Sequence, residues 1–340
     1  MKTLLKVENL KTSFYTHLGE VQAVRGISFE LNEGDILGIV GESGSGKSVT
    51  SLSVMGLIDE PGVIKEESSI VFDDIELTEL NKREMSNLRG NEIAMIFQDP
   101  MTSLNPVYSI KNQMTEVIRK HTNMTKSEAL ERAIELLHMV GIPEPEIRIK
   151  GFPHQFSGGM RQRALIATAL SCNPKLLIAD EPTTALDVTI QAQILDLMRD
   201  LQNKLNTSII LITHDLGVIA EVCNKVVVMY GGMIMEKGTI EEIFYKPQHP
   251  YTKGLHKSIP KVNLNQKERL VPIEGSPPDL MAPPSGCPFS PRCPHAMKIC
   301  IEKASPLFNI SESQRSSCWL HDQNSPQVEG FVKVKGDKYE

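Results

Sequence analysis

The chain has 340 residues, more than one compact domain usually needs and too few for three. Its 36 basic and 42 acidic residues give a net charge of −6, which argues against a nucleic-acid partner. No stretch approaches the roughly 20 apolar residues that cross a bilayer, and the opening segment MKTLLKVENL meets Glu8 before a signal-peptide core could form. We therefore expect a protein that is made and kept in the cytosol, with any membrane role exercised through partners.

The first 245 residues alternate between strand-like and helix-like segments. Three strand candidates, LLKVENL, VRGISFEL and DILGIV, are followed by the helical segment SVTSLSVMGLI. Residues from about 110 to 150 are rich in helical spacing, above all KSEALERAIELLHMVGI, which Gly141 and Pro143 should end. The apolar runs KLLIADE and TSIILITHD are typical of buried parallel strands, and the helical QAQILDLMRDLQNKL lies between them. This alternation predicts an α/β sheet with an inserted helical region.

The sequence pattern changes from Tyr245 onward, where proline becomes frequent and the helical and strand periodicities disappear. This tail is predicted to be either a flexible linker or an irregular domain held together by something other than a core. Four of the six cysteines lie in it, whereas Cys172 and Cys223 are expected to be small buried core residues. In a reducing cytosol, a cysteine cluster predicts metal or redox chemistry rather than disulfides.

A glycine-rich loop, GESGSGKS, lies between a strand candidate and a helix candidate. Glycines let backbone N–H groups converge on a phosphate, and the following helix adds its positive N-terminal end. Lys47 is expected to neutralise the β- and γ-phosphates, and the Ser48 hydroxyl to ligate Mg²⁺. The loop alone would suit a kinase or a GTPase equally well. The residues predicted to contact the nucleotide here are Gly41, Glu42, Ser43, Gly44, Ser45, Gly46, Lys47, Ser48 and Val49.

A pair of carboxylates, Asp180 and Glu181, ends the apolar run LLIADE. Asp180 suits the outer shell of Mg²⁺, while Glu181 could polarise an attacking water. Acidic residues often terminate strands, so the pair indicates phosphate chemistry only in combination with the glycine-rich loop.

Further motifs resemble those of the ATP-binding cassette (ABC) family. The segment FSGGM at positions 156–160 resembles the family signature, Gln98 the glutamine loop, and His214 the switch histidine. Asp187 lies in the segment that follows the acidic pair. The signature departs from its commonest form, with Phe156 for leucine and Met160 for glutamine, and Met160 lacks the polar contact of a glutamine. The resemblance covers about residues 4 to 245, with five motifs in the family's order.

The resemblance implies a composite active site in which two cassettes pair head to tail. Each ATP is then held between one glycine-rich loop and the signature of the other cassette. Gln98 would contact Mg²⁺ or the water, and His214 would bond the γ-phosphate. The adenine would stack on Phe14 or on Tyr15, which the sequence does not separate. The remaining residues that the family assigns to the nucleotide are Ser157, Gly158, Gly159 and Asp187.

The tail resembles that of oligopeptide and dipeptide transporter ATPases, in PQHPYTKGL and in GCPFSPRCPHA. The match extends through FQDPMTSLNP and ADEPTTALDVTIQAQIL. It implies an α/β cassette over residues 1–245, with an antiparallel β subdomain and a helical subdomain at about 99–160, then a small irregular domain over 246–340. The implied partners are a second cassette (a related chain or another copy), two transmembrane permease subunits and, indirectly, an extracytoplasmic peptide-binding protein. The implied location is the cytoplasmic face of the membrane.

The four tail cysteines could enclose a tetrahedral metal or an iron–sulfur cluster. Zinc modules usually carry paired Cys-x₂-Cys knuckles, which this tail lacks, and its longer spacers suit a [4Fe–4S] cluster. Relatives with this cysteine pattern also resemble cluster binders. A [4Fe–4S] cluster of structural role is therefore predicted, with zinc as the alternative and His295 as a surface residue. The cysteines are Cys287, Cys293, Cys300 and Cys318.

Other functions remain as alternatives to peptide import. The chain could instead be the ATPase of an ABC importer for another small solute, nickel or glutathione. Cassette proteins that act on DNA or ribosomes often carry long coiled-coil insertions or two fused cassettes, and this chain has neither. A small-molecule kinase would leave the signature and the switch histidine unexplained.

Overall fold

A computed structural model describes residues 2–99, 103–184, 186–258 and 272–334. Parts of the FQDPMTSLNP and ADEPTTALDVTIQAQIL segments and of the tail lie outside the described residues. The chain divides into two compact units. The first unit comprises Leu4–Glu30, Leu37–Thr78 and Thr213–Glu340, and the second comprises Met1–Thr3, Leu31–Ile36 and Glu79–Ile212.

The strands and helices of the described residues follow the predicted alternation. The strands are β1 (Thr3–Thr16), β2 (Gly19–Asn32), β3 (Ile36–Val40), β4 (Gly62–Ile64), β5 (Ser69–Phe72), β6 (Ile75–Glu76), β7 (Ile93–Ile96), β8 (Leu176–Asp180), β9 (Ser208–Thr213), β10 (Lys225–Tyr230), β11 (Met233–Thr239), β12 (Phe308–Asn309) and β13 (Arg315–Ser316). The α-helices are α1 (Lys47–Val54), α2 (Lys82–Leu88), α3 (Ile110–His121), α4 (Lys126–Met139), α5 (Pro145–Arg148), α6 (Gly158–Ala169), α7 (Val188–Leu205), α8 (Leu216–Val222), α9 (Ile240–Tyr245), α10 (Pro250–Lys257) and α11 (Lys298–Glu302). Among these described helices, none is long and apolar enough to cross a membrane.

The first unit contains an antiparallel sheet in the order β2-β1-β5-β6, with β4 paired to β1. The strand candidates LLKVENL and VRGISFEL are confirmed, but each belongs to a 14-residue strand that extends well beyond them. In the same unit, β10 runs parallel to β3 and antiparallel to β11. All five residues of β3 are buried, as the apolar run DILGIV predicts.

The tail contributes ordered structure to the first unit. The short strand β13 pairs antiparallel with both β11 and β12, so tail residues extend the sheet that contains β10 and β11. Helix α10 begins at Pro250, in the first helical turn, where the missing N–H of proline has no cost. The described part of the tail is therefore ordered and packs within the first unit. Its predicted boundary at residue 245 stays a prediction.

The second unit combines the parallel strands β7, β8 and β9 with most of the helices. Helix α4 confirms the prediction for KSEALERAIELLHM. Thr125 and Glu128 form a capping box at its start, and Gly141, with φ of 74°, follows its end. The prediction that KLLIADE and TSIILITHD are buried parallel strands is confirmed as well, since β8 and β9 are buried throughout.

A buried carboxylate, Glu236 in β11, joins the tail to the sheet of the first unit. It is fully inaccessible and accepts hydrogen bonds from the backbone N–H groups of Gln248 (2.6 Å) and His249 (2.9 Å). The Gln314 side chain donates a third bond at 2.8 Å. Burial raises the pKa of Glu236 to about 7, and the donated hydrogen bonds oppose this rise.

We expect Glu236 to make stability depend on pH. The folded pKa lies above the ordinary value of 4.5, so the unfolded carboxyl ionises first and stability falls as the pH rises from about 4.5 to about 7. The free energy of unfolding should fall by up to about 3 kcal/mol over this range. Urea unfolding of wild type and Glu236→Gln across this range measures the difference. The exposed Glu241→Gln is the control, and a Glu236→Gln profile parallel to the wild-type profile would contradict the assignment.

Candidate nucleotide site and cysteine pocket

The glycine-rich loop is packed so tightly that two of its glycines admit no side chain. A Cβ atom on Gly41 would lie 2.1 Å from the Met229 carbonyl oxygen. Gly46 has φ of 100°, and a Cβ atom there would lie 2.5 Å from the Ala23 carbonyl oxygen. Both neighbours are backbone atoms that cannot rotate away. The loop therefore has the close backbone packing that a phosphate cradle requires.

The polar groups of this loop point to an anion. Lys47 is buried, and its ammonium donates to the carbonyl oxygens of Gly41 (2.7 Å) and Glu42 (3.0 Å). The hydroxyl of Ser45 is buried and has no hydrogen-bond partner among the described residues. Helix α1 begins at Lys47, so its first backbone N–H groups face the loop. The loop thus combines a cation, backbone donors and an unsatisfied hydroxyl, which fits the phosphates of a nucleotide.

We expect Gly41→Ala to lower ATP affinity by at least about tenfold, since the loop must shift to accommodate the methyl group. Titration with a fluorescent ATP analogue measures the dissociation constant. Glu131→Ala is the control, because it is a small change at an exposed position of α4, outside the loop. Wild-type affinity in Gly41→Ala would show that the loop does not need its close packing.

The strand β1 places the two adenine candidates on opposite faces. Thr12 shares a hydrogen bond of 2.9 Å with Ser53 of α1, the helix that follows the glycine-rich loop. Phe14 lies two residues further along and therefore on the same face as Thr12. Tyr15 lies on the other face, is 48% exposed, and has the Lys65 ammonium 4.8 Å from its ring centre.

The carboxylate pair occupies the end of β8 in the second unit. Asp180 is the last residue of the strand and is buried. Glu181 follows with φ of 48°, an uncommon conformation for a residue with a side chain and one that tends to mark functional positions. Its carboxylate accepts hydrogen bonds from the Gln98 amide (2.9 Å) and the Thr184 hydroxyl (2.9 Å). The structure therefore brings Gln98 and Glu181 together, and it adds Thr184, which the sequence analysis missed.

The signature segment forms the start of α6 in the second unit. Ser157 caps the helix by accepting a hydrogen bond from the backbone N–H of Met160 (3.3 Å). The helix begins at Gly158 within the motif, and its first residues are at least partly exposed. A Cβ atom on Gly159 would lie 3.1 Å from the Ile190 side chain of α7. Asp187 caps α7 in turn through the backbone N–H of Ile190.

The predicted switch histidine, His214, directly follows β9 and is exposed. The next residue, Asp215, caps α8 through the backbone N–H of Gly217 (2.7 Å). His214 is thus held between a buried strand and a capped helix, with its imidazole accessible.

The four tail cysteines line one small pocket in the first unit, together with His249 and His295. All four are free thiols. Among the described residues, no group of three or more His, Cys, Asp or Glu side chains could hold a single metal ion. The backbone N–H of Cys287 donates to the Cys300 carbonyl (2.7 Å), which ties two of the four segments together.

Burial raises the pKa of the Cys287 and Cys293 thiols to about 11, and it raises that of Cys318 further. The neighbouring pocket cysteines add to the rise for all three. These thiols are therefore protonated at neutral pH unless a cationic group enters the pocket. Any metal centre bound there must displace protons, so its binding strengthens as the pH rises.

The chain matches two family models. One, described as ABC transporter, covers residues 24–184, and the other, described as oligopeptide/dipeptide transporter, C-terminal region, covers residues 235–300. The oligopeptide transport ATP-binding protein OppD of Bacillus subtilis (strain 168) is 56% identical over 98% of this chain and 93% of its own length. The chain belongs to the ABC transporter ATPases. The dipeptide transport ATP-binding protein DppD of the same organism is 53% identical over 96% of this chain and 97% of its own length.

A solved ABC cassette has the same fold as much of this chain. The cassette MJ0796, solved as a dimer in a post-hydrolysis state with ADP and phosphate, aligns with a TM-score of 0.62 and 27% identity. The alignment includes 70% of this chain and 99% of the MJ0796 chain. The solved cassette thus leaves a substantial part of this ABC transporter ATPase unmatched.

Two further residues of this ABC transporter ATPase escaped the sequence analysis, although both lie in quoted tail segments. Tyr251 and Arg292 contact Glu42 of the glycine-rich loop. The segments PQHPYTKGL and GCPFSPRCPHA marked the tail as a recognisable type. They gave no indication that these side chains reach the phosphate loop.

Proposed function

We propose that this ABC transporter ATPase hydrolyses ATP to energise the import of dipeptides or oligopeptides. The observation that carries the proposal is the extent of the similarity. The similarity spans nearly the whole chain, including the tail, and the similar proteins are named for oligopeptide and dipeptide transport.

The glycine-rich loop is proposed to bind the ATP phosphates. The Lys47 ammonium, which donates to the Gly41 and Glu42 carbonyl oxygens, also lies where it can bind the β- and γ-phosphates. The unsatisfied Ser45 hydroxyl donates to a phosphate oxygen. The backbone of positions 41–49 wraps around the triphosphate, with the Glu42 N–H held by the Tyr251 hydroxyl. Phe14, on the α1 side of β1, stacks on the adenine, and Tyr15 does not.

Hydrolysis is proposed to depend on Glu181 as the general base for the attacking water. Gln98 and Thr184 each donate a hydrogen bond that orients its carboxylate. His214 donates to the γ-phosphate and holds the water in place. Ser48, Asp180 and Gln98 would hold Mg²⁺, which neutralises charge that develops on the phosphate oxygens.

A second cassette is proposed to complete the site, and a related chain is the favoured partner. Ser157 and the first turn of α6 offer a helix N-terminus to the γ-phosphate held by that partner. Gly158, Gly159 and Asp187 line the same contact. Two permease subunits then anchor the pair at the cytoplasmic face of the membrane, and an extracytoplasmic binding protein delivers the peptide.

The cysteine pocket is proposed to hold a [4Fe–4S] cluster. Four free thiols line one pocket, and the long spacers between them in the sequence suit a cluster better than the paired knuckles of a zinc site. Cys287, Cys293, Cys300 and Cys318 are the ligands. The cluster would supply four bonds that tie the tail segments together, and none of the ATP chemistry requires its electrons.

We expect a strain lacking this chain to lose uptake of labelled dipeptides or oligopeptides and to regain it with the wild-type gene. Uptake of nickel and glutathione, measured in the same strain, tests the two alternative solutes. Loss of nickel or glutathione uptake with normal peptide uptake would reject the peptide assignment while leaving the ATPase assignment intact.

A further inference from the structure

One tail residue, Arg292, reaches Glu42 in the glycine-rich loop across 250 sequence positions. The pairing is bidentate, with Nη1 2.6 Å from one carboxylate oxygen and Nη2 3.1 Å from the other. Only 5% of the Arg292 side chain is exposed, compared with 27% for Glu42. A two-pronged contact with a buried guanidinium holds a carboxylate in one orientation, unlike a typical surface ion pair.

Every N–H donor of Arg292 has a partner. Besides Glu42, Nη1 donates to the Tyr230 hydroxyl (3.0 Å) and Nη2 to the Ile273 carbonyl (2.8 Å). Nε donates to the Glu274 carbonyl (2.8 Å). A guanidinium has five such donors, and all of them are used. The position of Arg292 is therefore fixed by the tail and by β10, independently of the loop.

The loop backbone is held at the same residue by a second tail side chain. The N–H of Glu42 donates to the hydroxyl of Tyr251, a fully buried residue, at 2.9 Å. The Tyr251 ring packs against Tyr230 and Phe289, with ring centres 4.6 Å and 5.3 Å away. The tail thus fixes both the main chain and the side chain of Glu42.

Charge explains why this contact matters for ATP. Glu42 carries a negative charge within a loop that must bind a polyanion. Unpaired, it would repel the phosphates, and its flexible carboxylate could compete for the loop N–H groups and for Lys47. Arg292 cancels this charge and orients the carboxylate.

We propose that Arg292 is a positioning residue that sets ATP affinity by neutralising and orienting Glu42 in the phosphate-binding loop. The inference rests on ATP binding by this loop and does not depend on what the cysteine pocket holds. It assigns to the tail, beyond any role in transport, a direct part in nucleotide binding.

The test compares Arg292→Gln, Glu42→Gln and the double variant with the wild type. We expect Arg292→Gln to weaken ATP binding about tenfold, with turnover at saturating ATP within about twofold of wild type, because the reacting groups are untouched. The double variant, which has no uncompensated charge, should recover to within about threefold. Titration with a fluorescent ATP analogue gives affinity, and steady-state kinetics separates KM from kcat.

Three controls keep this result interpretable. Lys298→Gln removes a cation from an exposed tail pair (88% and 61% exposed side chains) and should bind ATP as the wild type does. Melting temperatures and thiol counts report whether the tail remains folded. If Arg292→Gln unfolds the tail, Arg292→Lys carries the test, because it keeps the charge but loses the bidentate contact, and it should weaken binding about threefold.

Wild-type affinity in the folded Arg292 variant would overturn the inference, and so would a double variant that binds ATP as weakly as Arg292→Gln. Failure of the wild-type chain itself to bind ATP would instead reject the proposed function, so the two failures are distinguishable.

Discussion

Replacing Glu181 with glutamine is expected to lower ATP turnover by about 100- to 1,000-fold while ATP binding is retained. The amide has nearly the shape of the carboxylate and can still accept the hydrogen bond from the Thr184 hydroxyl, but it cannot take a proton from water. ATP affinity should persist because Glu181 is not part of the glycine-rich loop. Phosphate release and fluorescent-nucleotide titration on the same preparation measure the two quantities.

The matched control for this variant is Glu131→Gln, an equally conservative change at an exposed position of α4. It should leave turnover within about twofold of wild type, as surface substitutions usually do. Unchanged turnover in Glu181→Gln would remove Glu181 from the reaction. Loss of both binding and turnover would instead indicate that the carboxylate supports the loop structure.

Replacing Cys293 with serine is expected to remove most of the iron from a chain purified without oxygen. The wild type should carry about four irons and four acid-labile sulfides per chain, with the broad visible absorption of a cluster. Serine is a poor ligand for iron, and three thiols leave one corner of the cluster unbound. The variant should also melt at a lower temperature, because bonds to the cluster join separate segments of the tail.

The control for the cluster experiment is Cys172→Ser, which removes a half-buried thiol from the second unit. Its iron and sulfide content should equal that of the wild type. Stoichiometric zinc without iron would overturn the cluster assignment and favour zinc. Neither metal in the wild-type chain would leave the pocket as a set of structural thiols.

Much of the fold could be predicted because the order of apolar and polar residues along a segment indicates which of its residues are buried. The runs that became β8 and β9 are mostly apolar, since every residue of these strands is buried. The strands β1 and β2 proved longer than predicted, because the portions that the prediction missed, residues 11–16 and 19–23, carry polar residues such as Lys11 and Gln22. The two-residue strands β12 and β13 are too short to show any periodicity, and their place in the sheet depends on pairing with distant β11.

The site could be predicted only as far as motifs reach. The glycine-rich loop is one unbroken stretch of sequence, and so is the acidic pair, so the chemistry of each can be recognised in the sequence. The roles of Thr184 and Arg292 depend on where their side chains point after folding, and the partner of Arg292 lies 250 positions away. The proposal of Phe14 rather than Tyr15 rests on strand alternation relative to the contact of Thr12 with α1, which the sequence alone does not show.

The most direct test of the central claim is uptake of a labelled peptide by cells whose only copy of this chain carries Glu181→Gln. If ATP hydrolysis by this chain energises import, uptake should fall to the level of cells without the chain, although the variant is present and binds ATP. The Glu131→Gln control should restore uptake fully. Wild-type uptake with the Glu181→Gln chain would contradict the account, because another source of energy would then be driving transport.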